Sequence, residues 1–429
     1  MSPAAPTAFH AATERVTTEV GGIDLLARTW GRGEPHDQFD RLRQEAPVYW
    51  HPEPDGGPGF WAITKHADVK HCSHHWETFS SELGATFIPT QDEAALQGLR
   101  LTILNMDPPK HDRYRRLVSR GFTPRMIRKL VEEIERRAAA VVDEVCENGE
   151  VEFVEEIAAQ VPVQMICEMI GLEPELWPRM VEVSNQLIGS RDDPDFQAAA
   201  GGTEGAAAEV YRLCDTVAAD RRANPRDDLM TALVQAEIDG ESLTDAELNL
   251  FFITLIVAGN ETTRNLINHA MLALIAHPDQ AQRLRDDPEL WDTAVEEMLR
   301  WGSSIHNFRR TVTHDTELRG VPMRAGDKVV MYYASANRDE EVFDHPHTFD
   351  VGRTPNDHVT FGGGGVHFCL GASLARAEIK ATMRQVVERL PTIELAGEPD
   401  RLHSDVVNGI KSMPIRFTPT PRPTATGAN

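Results

Sequence analysis

A cysteine at the end of a glycine run is the side chain best placed for chemistry. Cys369 follows four consecutive glycines at 362–365 and precedes a helical pattern over residues 372–390. Four glycines let backbone N–H groups close around a group that lies against the sulfur, so we expect an accessible thiol. The helix N-terminus, the amide donors and the neighbouring His367 should lower the pKa of this thiol and favour the thiolate, which binds soft metals.

A lone thiolate narrows the kinds of site that this loop could form. A structural zinc site needs four ligands, whereas one thiolate can be the single axial ligand of a haem iron. The alternative is a glycine loop that cradles a phosphate, but such a loop carries Lys and Ser or Thr just after the glycines. Neither is present here, so the loop favours haem.

The loop resembles the haem-binding loop of the cytochrome P-450 family, the haem-thiolate monooxygenases. The residues that carry the resemblance form the pattern Gly-x-His-x-Cys-x-Gly and are Gly365, His367, Cys369 and Gly371. The phenylalanine usual in the family lies seven residues before the cysteine, where this chain has Gly362, and Phe361 stands one place earlier. The resemblance implies haem b as cofactor, Cys369 as the metal ligand, and His367, Gly371 and Phe361 as cofactor-binding residues.

A second motif lies inside a long helical pattern. Thr244 and Glu247 predict a capping box at the start of a helix that continues to roughly His277. The helix is apolar along much of its surface, which is typical of a helix through the centre of a protein. In its middle, residues 258–263 read Ala-Gly-Asn-Glu-Thr-Thr.

Each residue of that string could contribute to oxygen chemistry. Gly259 costs about 1 kcal/mol against alanine in a helix, so something must compensate, and a small residue lets a flat cofactor and dioxygen approach the backbone. Thr262 can donate its hydroxyl to a helix carbonyl, and with Glu261 it forms an acid–alcohol pair able to relay protons. The alternative is a packing glycine beside a solvated glutamate. The string resembles the oxygen-activation motif of the family, Ala-Gly-x-Glu/Asp-Thr, which implies that Glu261 and Thr262 are catalytic and that Gly259 binds the cofactor.

Cationic side chains that could hold cofactor carboxylates occur in two places. His111 and Arg115 lie four residues apart on the helix predicted after Asp107, so they share a face suited to a buried pair of carboxylates. A solvated basic face is the alternative. In the family resemblance, both residues bind the haem propionates, and Arg310 matches the other propionate arginine, with Arg309 as the alternative.

A third motif has a structural interpretation. Glu297 and Arg300 lie three residues apart on a predicted helix, a spacing that usually gives a surface ion pair of little consequence. Here it resembles the Glu-x-x-Arg pair of the family, with Arg353 as the third member. We interpret all three as residues that hold the cysteine loop in place.

The substrate pocket is predicted from segments that lie beside these motifs. Residues 80–104 mix apolar groups with Gly, Pro and Gln, without a clean period, as expected of an ordered but mobile loop over a pocket. The turn after the Glu297 helix should also face the pocket, and its polar His306 and Asn307 favour a more oxygenated substrate. The predicted lining is Leu83, Phe87, Ile88, Leu104, Val257, Ala258, Ile305, His306, Asn307 and Val407.

The expected architecture is mainly α with small β-sheets, in a single large haem-thiolate monooxygenase domain over residues 36–417. Residues 1–35 are expected to be a flexible lead-in and residues 418–429 a disordered tail. Two aromatic and β-branched runs, at 47–50 and 59–63, predict a hairpin. The spacing of apolar residues over 123–172 predicts helical structure. Breaks at 191–195 and 201–205 predict a lid of two helices joined by a pliable loop.

Bulk composition excludes several classes of protein. A net charge of −24 argues against nucleic acid as a partner. Five scattered cysteines suit a reducing cytosol. Residues 1–10 have no signal-peptide pattern, and the longest apolar run, 250–258, is far shorter than a membrane span. We therefore expect a cytoplasmic protein with no membrane span.

The resemblance covers residues 40–416 and implies a monooxygenase that inserts one atom of dioxygen into a hydrophobic small molecule. Residues 257–265 and 408–414 look most like actinobacterial enzymes that hydroxylate methyl-branched lipids, sterol side chains or terpenoids. Three alternatives stay open: a natural-product oxidase acting on a more polar intermediate, a peroxide-driven haem enzyme, and a haem sensor or carrier that is not an enzyme.

Electrons must come from a separate partner, because a chain of this length has no flavin or ferredoxin module. We expect a ferredoxin with its ferredoxin reductase. A basic island on this acidic chain could steer an acidic ferredoxin to the cysteine side. Its members are Arg113, Arg116, Arg120, Arg125, Arg128 and Lys129.

Overall fold

The computed structural model describes residues 20–26, 30, 33–53, 57–119, 124–189, 193, 202–238 and 241–423. In these residues helices dominate and the sheets are small, which confirms the predicted fold class. The helices are α1 His36–Glu45, α2 His66–His74, α3 Glu93–Leu99, α4 Lys110–Ser119, α5 Pro124–Val145, α6 Gln160–Ile170, α7 Trp177–Gly189, α8 Gly202–Ala223, α9 Leu229–Val234, α10 Asp245–Ala276, α11 Pro278–Asp286, α12 Trp291–Gly302, α13 Tyr333–Ala336 and α14 Ala372–Arg389. The strands are β1 Val48–His51, β2 Phe60–Ile63, β3 Phe79–Ser80, β4 Glu150–Glu152, β5 Glu237–Ile238, β6 Glu241–Ser242, β7 Asn307–Val312, β8 Thr316–Leu318, β9 Val321–Met323, β10 Lys328–Tyr332, β11 Glu394–Leu395, β12 Asp400–Arg401, β13 Ile410–Ser412 and β14 Pro414–Arg416.

The central helix α10 begins where the sequence predicts it. The Thr244 hydroxyl accepts the Glu247 N–H at 3.2 Å, and the Glu247 carboxylate accepts the Thr244 N–H at 3.0 Å. This capping box satisfies two backbone donors that a helix start would otherwise leave unpaired. Along its length α10 contacts α6, α7, α8, α12 and α14, so it is the element on which the surrounding helices pack.

The main sheet has five strands in the order β1-β2-β10-β7-β3. The predicted hairpin is present, with Val48 opposite Ile63 in the antiparallel pair β1 and β2. Every residue of β2 is buried, because β2 also pairs in parallel with β10. Strand β7, which follows the predicted pocket turn, is antiparallel to β10.

Two stretches differ from their predicted structure. Residues 80–104 contain the short helix α3, whose start is capped by the Asp92 carboxylate accepting the Ala95 N–H at 2.8 Å. The stretch 123–172, predicted to be helical, is interrupted by β4, because Val151 pairs with Ile415 of β14 near the C-terminus. Pairing with a distant strand overrides local helical propensity there.

The domain edges extend beyond those predicted. Val20, Leu25 and Leu26 are buried in a cluster that includes Phe39, and the Tyr332 hydroxyl donates to the Leu25 carbonyl at 2.8 Å. The packed chain therefore starts at least sixteen residues before the predicted boundary at 36. At the other end, Thr420 N–H donates to the Cys146 carbonyl at 2.8 Å. Residues 1–19 and 424–429 lie outside the described residues, as does most of the predicted lid loop. None of the helices described here is both long and apolar enough to cross a bilayer.

Candidate active site

Helix α2 packs against three of the four glycines before Cys369, namely Gly363, Gly364 and Gly365. Three of the four glycines have left-handed backbone, with φ of +88° at Gly362, +92° at Gly364 and +69° at Gly365. A Cβ at Gly363 would lie 2.6 Å from the Ser73 hydroxyl and 2.8 Å from the Val69 carbonyl oxygen of α2. Gly363, Gly364 and Gly365 thus make room for α2, whereas Gly362 is required only by its left-handed backbone.

The Cys369 side chain is exposed on one side, as predicted. Its N–H donates to the Phe361 carbonyl at 3.0 Å, which fixes the turn. Burial nevertheless raises the pKa of the Cys369 thiol, against the opposing effect of the Gly371 amide and the Arg115 guanidinium. The predicted lowering of this pKa is wrong for the protein alone, because desolvation by the surrounding chain outweighs the amide donors. A bound metal cation is the charge that would deprotonate such a thiol.

Two histidines meet beside the loop. The ring centroids of His111 and His367 lie 4.3 Å apart, and His367 Nε2 lies 3.1 Å from the Ser81 hydroxyl. Burial lowers the pKa of His111 and lowers the pKa of His367 well below its usual value, so both rings are neutral near pH 7. His111 is therefore a neutral donor and not the cation that the sequence suggested. Arg115 donates to the Phe368 carbonyl at 2.6 Å.

The two candidate arginines of β7 have different surroundings, because successive side chains of a strand point to opposite faces. Arg309 donates to the carbonyls of Phe87 and Ile88, both at 3.4 Å. Arg310 is buried, and the one hydrogen bond of its guanidinium in the described chain goes to the Arg309 carbonyl at 2.9 Å. The positive charges of Arg310 and Arg115 both help to lower the pKa of His367, which places these groups close together. Neither guanidinium has a carboxylate hydrogen-bonded to it in the described chain, but that of Arg309 donates to several carbonyls and to the Thr311 hydroxyl. A buried guanidinium with few partners is costly, so the less satisfied Arg310 fits a ligand that carries acidic groups better than Arg309 does.

In the middle of α10, close helix packing and an open small side chain belong to two different residues, Gly259 and Ala258. Thr262 donates its hydroxyl to the Ala258 carbonyl at 2.7 Å, as predicted. A Cβ at Gly259 would lie 2.9 Å from Cγ1 of Ile166 in α6, so this glycine is explained by close packing of two helices. Ala258 is the exposed small residue on this stretch of α10.

Glu261 is buried and paired, not solvated. Arg264 donates to its carboxylate at 2.6 Å and also to the Asn185 side chain of α7 at 2.6 Å. Burial raises the pKa of Glu261, and the Arg264 charge opposes that rise. These residues and Lys411 of β13 line a small cavity of about 40 Å³. Within the described residues, Glu261 makes no hydrogen bond to Thr262.

The three residues predicted to be structural form one buried network. Arg300 donates to both oxygens of Glu297, at 2.7 and 2.8 Å, and Arg353 adds a third bond at 3.0 Å. Arg300 also donates to the Asn337 carbonyl at 2.9 Å. The Asn337 side chain in turn accepts the Val359 N–H at 2.7 Å, just before the cysteine loop. The network therefore connects α12 to the base of that loop.

The predicted pocket residues fall into two groups. Leu83 is 48% exposed, Ala258 is exposed, and Phe87, Leu104, Val257 and Ile305 are half-buried. Ile305 pairs with the buried Val407 in an isolated bridge. Ile88 instead packs in the core with Val330, on the side of the sheet that carries the N-terminal segment.

The two polar pocket candidates are engaged by the protein itself. His306 Nδ1 lies 3.1 Å from a Glu34 carboxylate oxygen, and the Asn307 amide donates to the Asp405 carbonyl at 2.9 Å. Both side chains are buried. The structure therefore removes the reason for expecting a more oxygenated substrate.

Several residues of the site escaped the sequence interpretation. Arg376 lies over the Phe361 ring, 4.6 Å from its centroid, and its guanidinium pairs with Glu296. Phe368, next to Cys369, is 40% exposed. For Arg264 a signal existed, since it lies one helical turn after Glu261.

Comparison with known proteins agrees with this geometry. The family model described as cytochrome P-450 matches residues 163–289 and 286–414. A steroid C26-monooxygenase of Rhodococcus jostii is 40% identical over 391 residues, 89% of this chain and 82% of the relative. A methyl-branched lipid omega-hydroxylase of Mycobacterium tuberculosis is 41% identical over 389 residues, 89% of this chain and 90% of the relative.

A solved structure is similar as well. A cytochrome P-450 of Mycobacterium marinum in complex with pseudoionone superposes with a TM-score of 0.86 at 39% identity, covering 95% of this chain and all of that one. The match spans the helices and sheets that position the cysteine loop and the centre of α10. The chain therefore belongs to the cytochrome P-450 family and is a haem-dependent monooxygenase.

Proposed function

We propose that this enzyme hydroxylates a hydrophobic small molecule, either a methyl-branched lipid or the side chain of a steroid. The observation that carries the proposal is the identity of about two residues in five, over nine-tenths of the chain, to enzymes named for those two substrate classes. The exposed Leu83 and Ala258 support it, since apolar side chains without protein contacts around them suit an alkyl ligand.

The cofactor is haem b, which supplies the iron at which dioxygen is activated. We propose that the Cys369 sulfur would hold the haem iron, with His367, Gly371 and Phe361 shaping the loop. Arg115 and Arg310 are proposed to hold the propionates, because each guanidinium makes a single hydrogen bond in the described chain, to a backbone carbonyl. His111 would add a neutral N–H donor, and Gly259 would keep α10 close enough to α6 for Ala258 to line the cofactor face.

Glu261 and Thr262 are proposed as the proton-transfer pair. Thr262 donates its proton to the Ala258 carbonyl, which leaves its oxygen free to accept a hydrogen bond from water or substrate. Glu261 is held by Arg264, so its carboxylate has to leave that partner to take part. Glu297, Arg300 and Arg353 are assigned the structural task of holding the loop.

A ferredoxin with its reductase is the proposed electron source, docking at the basic island. Arg116 and Arg128 are exposed and Arg113 is half-buried, while the side chains of the other members lie outside the described residues. Reversing Arg113 and Arg116 to Glu should slow ferredoxin-driven reduction but not dithionite reduction. Arg212→Glu, on α8, is the control, and equal rates for all variants would remove the docking site from the proposal.

All five cysteines are free thiols, as in a reducing compartment, so we propose a cytoplasmic location.

The substrate proposal is tested with purified holoenzyme. Carbon monoxide added to the reduced protein should give the spectrum of thiolate-ligated iron. Cholestenone and an iso-branched fatty acid should each displace water from the iron and shift the Soret band, and at least one should be hydroxylated in step with NADPH consumption. Binding without any product would favour the haem carrier, and product formed only with added peroxide would favour the peroxide-driven alternative.

A further inference from the structure

A carboxylate of the N-terminal segment lies directly behind the turn assigned to the pocket wall. The Glu34 side chain is only 5% exposed, and its Oε1 lies 3.1 Å from His306 Nδ1. His306 follows Ile305 and is fixed on its other side by the indole of Trp30, whose ring centroid lies 5.1 Å away at an angle of 84°. The backbone of His306 is held too, since its carbonyl accepts the Tyr333 N–H at 3.1 Å.

The N-terminal segment also contacts the second half of that wall. Arg401 belongs to β12, and its guanidinium lies 3.5 Å from where a Cβ of Gly33 would be, beside Glu34. The charge of Glu34 partly offsets the lowering of the Arg401 pKa by burial. Strands β12 and β13 form the hairpin whose loop carries Val407, the bridge partner of Ile305.

Backbone hydrogen bonds join the two halves of the wall on both sides of that bridge. His306 N–H donates to the Val406 carbonyl at 2.8 Å, and Asn408 N–H donates to the Ser304 carbonyl at 2.9 Å. The wall is therefore one unit, and a shift of His306 must move Ile305 and Val407 together. Neither Glu34 nor His306 belongs to a motif of the chemistry described above.

We propose that Glu34 is a positioning residue that, through His306, sets the Ile305 and Val407 wall and thereby selects which carbon of the substrate is oxidised. The inference rests on the proposed function in one respect, namely that Ile305 and Val407 line the pocket. If the alkyl chain gains or loses one methylene of contact at such a wall, the preference for oxidation at one carbon over another changes. The ratio of the competing alcohol products measures that preference directly.

The test compares product ratios from one substrate. Glu34→Ala removes the acceptor, Glu34→Gln keeps an oxygen acceptor without the charge, and His306→Leu removes the donor at similar size. Glu53→Gln is the matched control, because Glu53 is also mostly buried, with 11% of its side chain exposed, but pairs with Lys328 of β10 at 2.7 Å. Each holoenzyme is given an iso-branched hexadecanoic acid, and the terminal and subterminal alcohols are quantified beside KM, kcat and the carbon monoxide spectrum.

We expect Glu34→Ala and His306→Leu to shift the alcohol ratio in the same direction by about tenfold, with Glu34→Gln in between and Glu53→Gln unchanged. The thiolate spectrum should be retained. An unchanged ratio in both Glu34→Ala and His306→Leu would overturn the inference, even if their melting temperatures fell. If Glu34→Ala does not accumulate as holoenzyme, His306→Leu and Glu34→Gln decide in the same way. Absence of any alcohol from the wild-type enzyme would count against the proposed substrate, whereas alcohol formed with an insensitive ratio would count against Glu34 alone.

Discussion

The cysteine loop offers a paired test of why its glycines are needed. Gly362 and Gly365 both have left-handed backbone, with φ of +88° and +69°. A Cβ on Gly362 would meet one atom, the His367 carbonyl oxygen at 3.9 Å, which is ordinary contact. A Cβ on Gly365 would overlap the Ser73 carbonyl oxygen and lie 2.9 Å from its carbonyl carbon. The two positions share the conformational cost of a side chain but differ in space.

The expected magnitudes follow from that difference. Left-handed backbone costs a residue other than glycine about 1–2 kcal/mol, so Gly362→Ala should lower the free energy of unfolding by about that amount. In Gly365→Ala the new methyl group meets the backbone of α2, which cannot rotate away, and overpacking of this kind adds about 1–3 kcal/mol. We therefore expect a total loss of about 2–5 kcal/mol for Gly365→Ala.

Urea unfolding of both variants measures the loss, and the carbon monoxide spectrum measures the fraction of thiolate-ligated iron. Gly365→Ala should lose most of that fraction, since the loop has to move away from α2 and takes Cys369 with it. Gly362→Ala should keep it. Equal destabilisation by the two substitutions would refute the claim that contact with α2, and not backbone conformation alone, dictates the glycines.

Three further predictions concern buried charges. Glu297→Ala leaves the fully buried Arg300 without its carboxylate and should lower the free energy of unfolding by about 3–5 kcal/mol; a loss below about 1 kcal/mol in urea would contradict this account. Arg264→Leu removes the cation beside Glu261, so the pKa of that carboxyl should rise further. The acidic limb of the plot of kcat against pH should therefore move to higher pH. An unmoved limb would show that Glu261 does not limit turnover. Burial lowers the pKa of His269 from 6.5 to about 4, so the unfolded chain binds this proton more readily between those values. Stability should therefore rise by about 3 kcal/mol as pH increases through that window, and His269→Gln, followed by thermal melts over the same range, should flatten the rise.

Much of the site could be predicted because its motifs are local in sequence. The capping box of α10, the hydrogen bond from Thr262 to the Ala258 carbonyl and the network around Glu297 depend on residues three or four positions apart, or on one additional partner. The errors arose where a distant element decided the outcome. Gly259 packs against Ile166 of α6, three glycines before Cys369 pack against α2, and His306 lies against the Glu34 carboxylate. These partners all lie far away along the chain.

Electrostatic expectations failed for a related reason. The sequence shows which charges and dipoles lie near Cys369 and His111, but not how much protein excludes water from them. Desolvation opposes whichever form is charged, and here it raises the pKa of the Cys369 thiol and lowers the pKa of the His111 imidazole. The spacing of residues along the sequence does not show how strongly a group is desolvated.

The sequence by itself determined the family, the single thiolate, and the order of the motifs along the chain, because these depend on residue types at fixed short spacings. Only the tertiary structure decided which arginine of β7 is left with a single hydrogen bond from its guanidinium, which small residue of α10 lies open, and which carboxylate lies against His306. The reason is physical: residue type sets what a group can bond to, but burial and the choice of partner are set by packing between segments that are remote in sequence.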